Sequence, residues 1–202
     1  MSETIVKVRP KIVKRIQAVQ AVQAVQDQPI KDKEDPPVPE RELSAREQRY
    51  FNHADYQKDG ILHIYTDGSA IGNGRTDATG GYGVFFGRKD LNNISAQVIA
   101  PKVTNNIAEL MAIIEALKVI STLKDKEVVI HYDSDYAASV ITGKKNAAKN
   151  LELVDEGKKL LASIQNKHVR FEHVYSHTGA PTLHSIGNDI ADCLAKRMDL
   201  KK

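Results

Sequence analysis

Four acidic residues stand in short polar motifs, each at a strand end or in the first turns of a helix. They are Asp67 in Tyr65-Thr66-Asp67-Gly68-Ser69, Glu109 closing Thr104-Asn105-Asn106-Ile107-Ala108-Glu109, Asp133 in Tyr132-Asp133-Ser134, and Asp192 closing Gly187-Asn188-Asp189-Ile190-Ala191-Asp192. Each alone has an ordinary reading. Asp67 with Gly68 suits a turn, and Glu109 suits a helix N-terminus, where the macrodipole favours negative charge. Asp133 suits the cap of the next helix, and Asp192 the solvent face of the last one. Taken together they imply one carboxylate pocket that repels itself unless divalent cations fill it. Hard cations such as Mg²⁺ take oxygen ligands, and paired metals suit phosphoryl chemistry.

Other motifs carry less. Gly72-Asn73-Gly74 resembles a phosphate-cradling turn, but no helix follows and no G-x-G-x-x-G is complete, which argues against a dinucleotide site. The chain has no Walker-type Gly-Lys-Ser/Thr and no G-x-S-x-G, the marks of a P-loop and of one class of serine hydrolase. His173, His177 and His184 lack cysteine partners at zinc-binding spacing, so no zinc site is expected of them.

The elements that must hold the acids follow from periodicity. Ile61–Thr66, Gly80–Gly87 and Ile94–Ala100 read as three strands joined by Gly, Asn and Asp. Thr104 caps a long helix whose core stripe is Ile107, Leu110, Met111, Ile114 and Leu117, with Asn105 and Glu109 together away from it. Val128–Tyr132 suits a buried central strand. Helices follow at Ser134–Ile141 and Leu151–Ile164, then a strand at Val169–Val174 and a final helix at Asn188–Met198. Three sequential strands followed by alternating helix and strand describe an α/β mixed sheet covered by helices.

Composition divides the chain near residue 60. Residues 1–58 contain three Ala-Val-Gln triplets (residues 18–26) and a charged, proline-rich stretch from Lys31 to Pro39. They read as a low-complexity, disordered extension, with residues 59–202 as the folded domain. A capping box at Ser44-Ala45-Arg46-Glu47 allows a short helix within that extension. The first sixteen residues hold Lys7, Arg9, Lys11, Lys14 and Arg15 against Glu3 alone, a basic arm suited to nonspecific phosphate contacts. The net charge of +3 is too small to argue for nucleic acid by itself. One cysteine, Cys193, permits no internal disulfide, and no apolar run has membrane-spanning length. The expectation is a monomer in a reducing intracellular compartment, cytoplasmic or nuclear, with no membrane partner and no secretion.

Residues 61–199 closely resemble the ribonuclease H type 1 family. The motifs that match, in order, are Thr66-Asp67-Gly68-Ser69, Gly80-Gly81-Tyr82-Gly83, Thr104-Asn105-Asn106 leading to Glu109-Leu110, Asp133-Ser134, Ser176-His177-Thr178-Gly179, and Gly187-Asn188 before Asp192. The resemblance implies a ribonuclease H-like fold: a five-stranded mixed sheet, its first three strands antiparallel, flanked by helices. It implies endonucleolytic cleavage of the RNA strand of RNA–DNA hybrids with two Mg²⁺ ions, Mn²⁺ being a substitute, leaving 5′-phosphate and 3′-hydroxyl ends.

The same resemblance makes Asp67, Glu109, Asp133 and Asp192 the metal ligands, and His177 a mobile-loop histidine that assists proton movement or product release. It places Gly68, Ser69, Asn73, Asn105, Asn106 and Asn188 on substrate, and Lys102 and Thr104 on a phosphate of the DNA strand. Departures are the long loop from His177 to Asn188, the short segment between Asp133 and Asn150, the absence of tryptophan, and no hybrid-binding module in the N-terminal part. The alternatives are a non-catalytic hybrid-binding module on this fold or a related DNA nuclease.

Overall fold

In the computed structural model the described residues are 44–52, 60–89, 91–175 and 182–196, all within one compact unit, Glu42–Lys202. The expected disorder of the N-terminal extension concerns residues outside these, apart from 44–52. The central strand β1, Leu62–Ile71, lies between β2, Thr79–Phe86, and β4, Glu127–Tyr132. Adding β3, Ile94–Gln97, and β5, His168–His173, gives the order β3-β2-β1-β4-β5. The first three strands are antiparallel, and β1, β4 and β5 run parallel. This is the mixed sheet the sequence predicts.

Alternation along β1 decides what each face holds. Leu62 and Ile64 enter a core with Val84, Phe86, Val128 and Ile130. That core is covered by α2, Asn105–Thr122, α3, Asp135–Ile141, and α4, Leu151–Ser163. Tyr65 points the other way and packs with Phe85 against α1, Ala45–Asn52, and α5, Leu183–Lys196. Five of the six residues of β4 are buried, as a strand covered on both faces requires.

Helix α1 lies on the N-terminal side of residue 59 and belongs to this core, with Tyr50 fully buried edge-on to Tyr65 and Phe85. Its capping box forms: the Ser44 backbone N donates to Glu47 Oε2 at 2.8 Å, and the Glu47 N donates to Ser44 Oγ at 3.3 Å.

Three expectations need correction. Strand β1 does not stop at Thr66 but runs to Ile71, because Asp67 to Ile71 keep pairing with β2 from Gly83 to Thr79. Helix α5 begins at Leu183, five residues before Asn188, since Ile186 already fills the apolar seam against Tyr65 and Phe85. The buried face of α2 is wider than its expected stripe, because Ala108 and Ala112 pack against a further cluster around Tyr82, Val98 and Val103.

Two glycines set how closely helices approach the sheet. A Cβ on Gly68 would collide with the Glu109 backbone N and lie 2.5 Å from the Ala108 carbonyl carbon. A Cβ on Gly83 would collide with the Ala191 carbonyl oxygen and lie 2.6 Å from the Ala195 N. Both clashes are with backbone, which cannot rotate away. We therefore expect Gly83→Ala to destabilise the chain by about 1–3 kcal/mol or more, lowering its thermal unfolding midpoint. A midpoint equal to wild type by circular dichroism would contradict this packing.

Candidate active site

Strands β1 and β4 pair in parallel up to Thr66 and Tyr132. Asp67 and Asp133 each follow directly on those residues, so the two acids emerge side by side where the ladder ends. Glu109 reaches the same point from the second turn of α2, which Thr104 starts by accepting the Ile107 N–H on its hydroxyl at 3.2 Å. Carboxylate oxygens of Asp67, Glu109 and Asp133 all lie within 4.8 Å of one another. Glu109 lies off the apolar stripe of α2, as expected, and joins the other two acids. It is only 3% exposed because Gly68 lets α2 press onto β1, and Asp67 is only 5% exposed.

Burial is the largest influence on both groups. It lifts the Asp67 carboxyl to about 8, aided by the nearby charge of Asp133 and by a hydrogen bond with Asp192, against a partial offset from the Gly68 N–H. That N–H donates to Asp67 Oδ1 at 2.8 Å. Burial, then the charges of Asp67 and Asp133, push Glu109 well above its ordinary value. A pocket of carboxylates that cannot all ionise alone is a site for cations, and its all-oxygen donor set fits a hard divalent ion. Asp67, Glu109 and Asp133 can hold such an ion.

Asp192 stands differently. It hydrogen-bonds Asp67, yet it also accepts from Lys196 Nζ at 2.7 Å on Oδ1 and 2.9 Å on Oδ2. The fourth acid therefore borders the trio with a counter-charge of its own. Lys196 was missed in the sequence, although the four-residue spacing from an acid on a helix is a readable signal. His173 was also missed in this role. At the end of β5 its Nε2 lies 3.1 Å from the Asp133 carbonyl oxygen, a contact created only by pairing of β4 with β5.

The expected substrate residues mostly gather on one side. Asn73, in the turn between β1 and β2, accepts the Asn105 backbone N–H on Oδ1 at 3.0 Å, and Gly74 N donates to the Val103 carbonyl at 2.8 Å. The Lys102 side chain runs beside Gly74. Asn73, Lys102, Thr104, Asn105 and Asn106 thus form a polar ridge at the start of α2. Ser69 sits on β1 opposite Gly81. Asn188 is apart from the ridge: it is 2% exposed, and its Oδ1 has no hydrogen-bond partner among the described residues. His177 lies outside the described residues.

The raised Asp67 value has a definite sign. Below about 4 both folded and unfolded chains hold the proton, and above about 8 neither does. Between them only the folded form holds it, so this group's stabilising contribution is full at low pH and gone above about 8. In chelator, the stability advantage of Asp67→Asn over wild type should grow from about pH 5 to about pH 8 and then level off. Differential scanning calorimetry checks this; a pH-independent gap would refute the burial argument. Mg²⁺ affinity should also weaken on acidification, because the proton competes for the same oxygens.

A sequence model of the RNase H family matches residues 59–199. Ribonuclease H of Schizosaccharomyces pombe is 36% identical over 147 residues, covering 66% of this chain and 51% of that protein. Ribonuclease H of Saccharomyces cerevisiae is 30% identical over 161 residues, covering 67% of this chain and 45% of that protein. The chain therefore spans about half the length of these two relatives. Among solved structures, LC11-RNase H1 in complex with an RNA/DNA hybrid is similar, with 26% identity and a TM-score of 0.51 over 67% of this chain and 94% of that one. With the strand order, the clustered acids and the family match over residues 59–199, the chain belongs to the RNase H family.

Proposed function

We propose that this chain is an endoribonuclease that hydrolyses the RNA strand of RNA–DNA hybrids, leaving 5′-phosphate and 3′-hydroxyl ends. The observation that carries this reading is the convergence of buried Asp67 and Glu109 with half-buried Asp133, from β1, α2 and the end of β4, within 4.8 Å. The relative whose structure contains an RNA/DNA hybrid supports the choice of substrate. Binding alone gains nothing from crowding three acids, which argues for metal-dependent chemistry over a non-catalytic module.

Two Mg²⁺ ions, with Mn²⁺ as a substitute, would supply an activated water and neutralise charge on the leaving 3′-oxygen if bound here. Asp67, Glu109 and Asp133 would hold these ions, with Asp192 helping on the side of the attacking water. Occupying Asp192 this way requires its carboxylate to turn from Lys196, whose ammonium remains beside the site. Glu109 also approaches a ribose 2′-hydroxyl. Asn73, Asn105 and Asn106 read the minor groove, where that hydroxyl separates RNA from DNA. Lys102 and Thr104 grip a DNA-strand phosphate, Gly68 and Ser69 line the scissile region, and Asn188 supports it from α5. His177 moves a proton or aids product release, as an imidazole can both take and give a proton. The protein works as a monomer, and its basic N-terminal arm adds nonspecific contacts.

With Mg²⁺, an internally labelled RNA–DNA hybrid should yield internal RNA cuts while duplex DNA stays whole. Asp67→Asn and Asp133→Asn should each reduce cleavage to background with the far-UV spectrum unchanged. Uncut hybrid after prolonged incubation with concentrated wild type would refute the proposal. For Lys102→Ala we expect weaker hybrid binding, with the slope of log affinity against log salt shallower by about one. Fluorescence anisotropy over a salt series measures it, and an unchanged slope would remove Lys102 from the phosphate contact.

A further inference from the structure

We propose that His63, His131 and His184 form a second metal site, separate from the carboxylates, which takes one borderline transition ion of the Zn²⁺ class and fastens β1, β4 and α5 together. One ring nitrogen from each residue lies within 4.8 Å of the others. The rings of His131 and His184 are 4.4 Å apart between centroids, those of His63 and His131 5.2 Å, and those of His63 and His184 5.5 Å. His63 Nδ1 and His131 Nε2 are 2.8 Å apart, and the Tyr65 hydroxyl lies 3.0 Å from His184 Nδ1.

The bland alternative is a self-satisfied core cluster, and one atom argues against it. His131 is 1% exposed, and its Nδ1 has no hydrogen-bond partner among the described residues. A buried, unpaired imidazole nitrogen costs free energy, so the three rings do not complete one another's hydrogen bonding. His63 and His184 are only half-buried, which leaves a route for an ion and freedom for two of the three ligands to adjust. Zinc–imidazole bonds of about 2.0–2.1 Å set tetrahedral ligand nitrogens roughly 3.3 Å apart, so His63 Nδ1 and His131 Nε2, now 2.8 Å apart, must part slightly as the three rings turn toward one ion, a side-chain movement. Ligation needs neutral rings, and burial lowers the pKa of His184 despite the opposing charge of Glu172.

The donor chemistry sets the class of ion. Three imidazoles favour Zn²⁺ and its neighbours over Mg²⁺, and a three-histidine set leaves a fourth position for water. Asp67 lies four residues beyond His63 on β1, roughly 13 Å along the strand. The site braces three elements that each also carry one of the acids: Asp67 on β1, Asp133 after β4 and Asp192 on α5.

The test is calorimetric titration of the chelator-treated full chain with ZnCl₂ in excess Mg²⁺, which keeps the carboxylates occupied. One saturable Zn²⁺ site is expected in wild type and in Asp67→Asn, at least ~10-fold weaker in His63→Ala and in His184→Ala. Substituted Co²⁺ should give the visible bands of a low-coordinate nitrogen site without a thiolate charge-transfer band, excluding Cys193. Zn²⁺ should raise the unfolding midpoint of wild type but not of His63→Ala. No saturable Zn²⁺ binding by wild type, or equal binding by both histidine variants, would overturn the proposal.

Discussion

The constraint on which the structure depends is the contact between Gly68 and the first turns of α2. Without a side chain at residue 68, the backbone at Ala108 and Glu109 seats directly on β1, and Glu109 is carried into the space that Asp67 and Asp133 already occupy. Asp67 and Glu109 are then buried beside half-buried Asp133. Desolvation and the neighbouring negative charges both oppose ionisation of Asp67 and Glu109. In the absence of cations this corner is a net cost to stability, so the cohesion of the domain must come from elsewhere. It comes from the two apolar layers, including Tyr50 and Phe51 from α1, which pack on the face of β1 that also carries Asp67. Stability and function are thereby divided between neighbouring parts of one sheet.

The same helix start organises the polar ridge to which substrate contacts are assigned in the proposed function. Thr104 caps α2, Asn73 holds the Asn105 backbone, and Gly74 is tied to Val103. These short bonds tie the ridge to the start of α2, whose second turn carries Glu109. A polymer gripped by the ridge would be held at a set distance from the carboxylates, which is how positioning contributes to rate. Lys196 adds a different control. By pairing with Asp192 it offsets the charge of the acid that borders the trio.

Much of this was legible in the sequence, and the failures have local causes. The order of strands and helices follows from alternation and 3.6-residue spacing, and the Thr104 cap and the capping box at Ser44 both form. The length of β1 was not legible, because Asp67-Gly68-Ser69 has the composition of a turn. Only the facing glycines of β2, brought close by pairing, show why the strand continues. Burial of Glu109 was hidden for a similar reason, since helical periodicity reports a residue's direction but not how close the sheet comes. The start of α5 was placed late because the residues before Asn188 contain turn formers and a histidine. Tertiary packing of Ile186 overrides them.

The histidines show most sharply what local reading omits. Sequence spacing draws the eye to His173, His177 and His184, which are near one another in the chain. The fold instead gathers His63, His131 and His184, separated by more than half the domain. Along β1 the positions 63, 65 and 67 share one face, so nitrogen donors and oxygen donors occur on the same strand, two alternations apart. Two cation sites so near each other and joined by the same strands cannot be kept distinct by location alone. Ligand hardness does the sorting: carboxylates in low dielectric favour small hard ions, and clustered neutral imidazoles favour borderline ones. Shape brings each set together, and the chemistry of the donor atoms determines which ion each can retain.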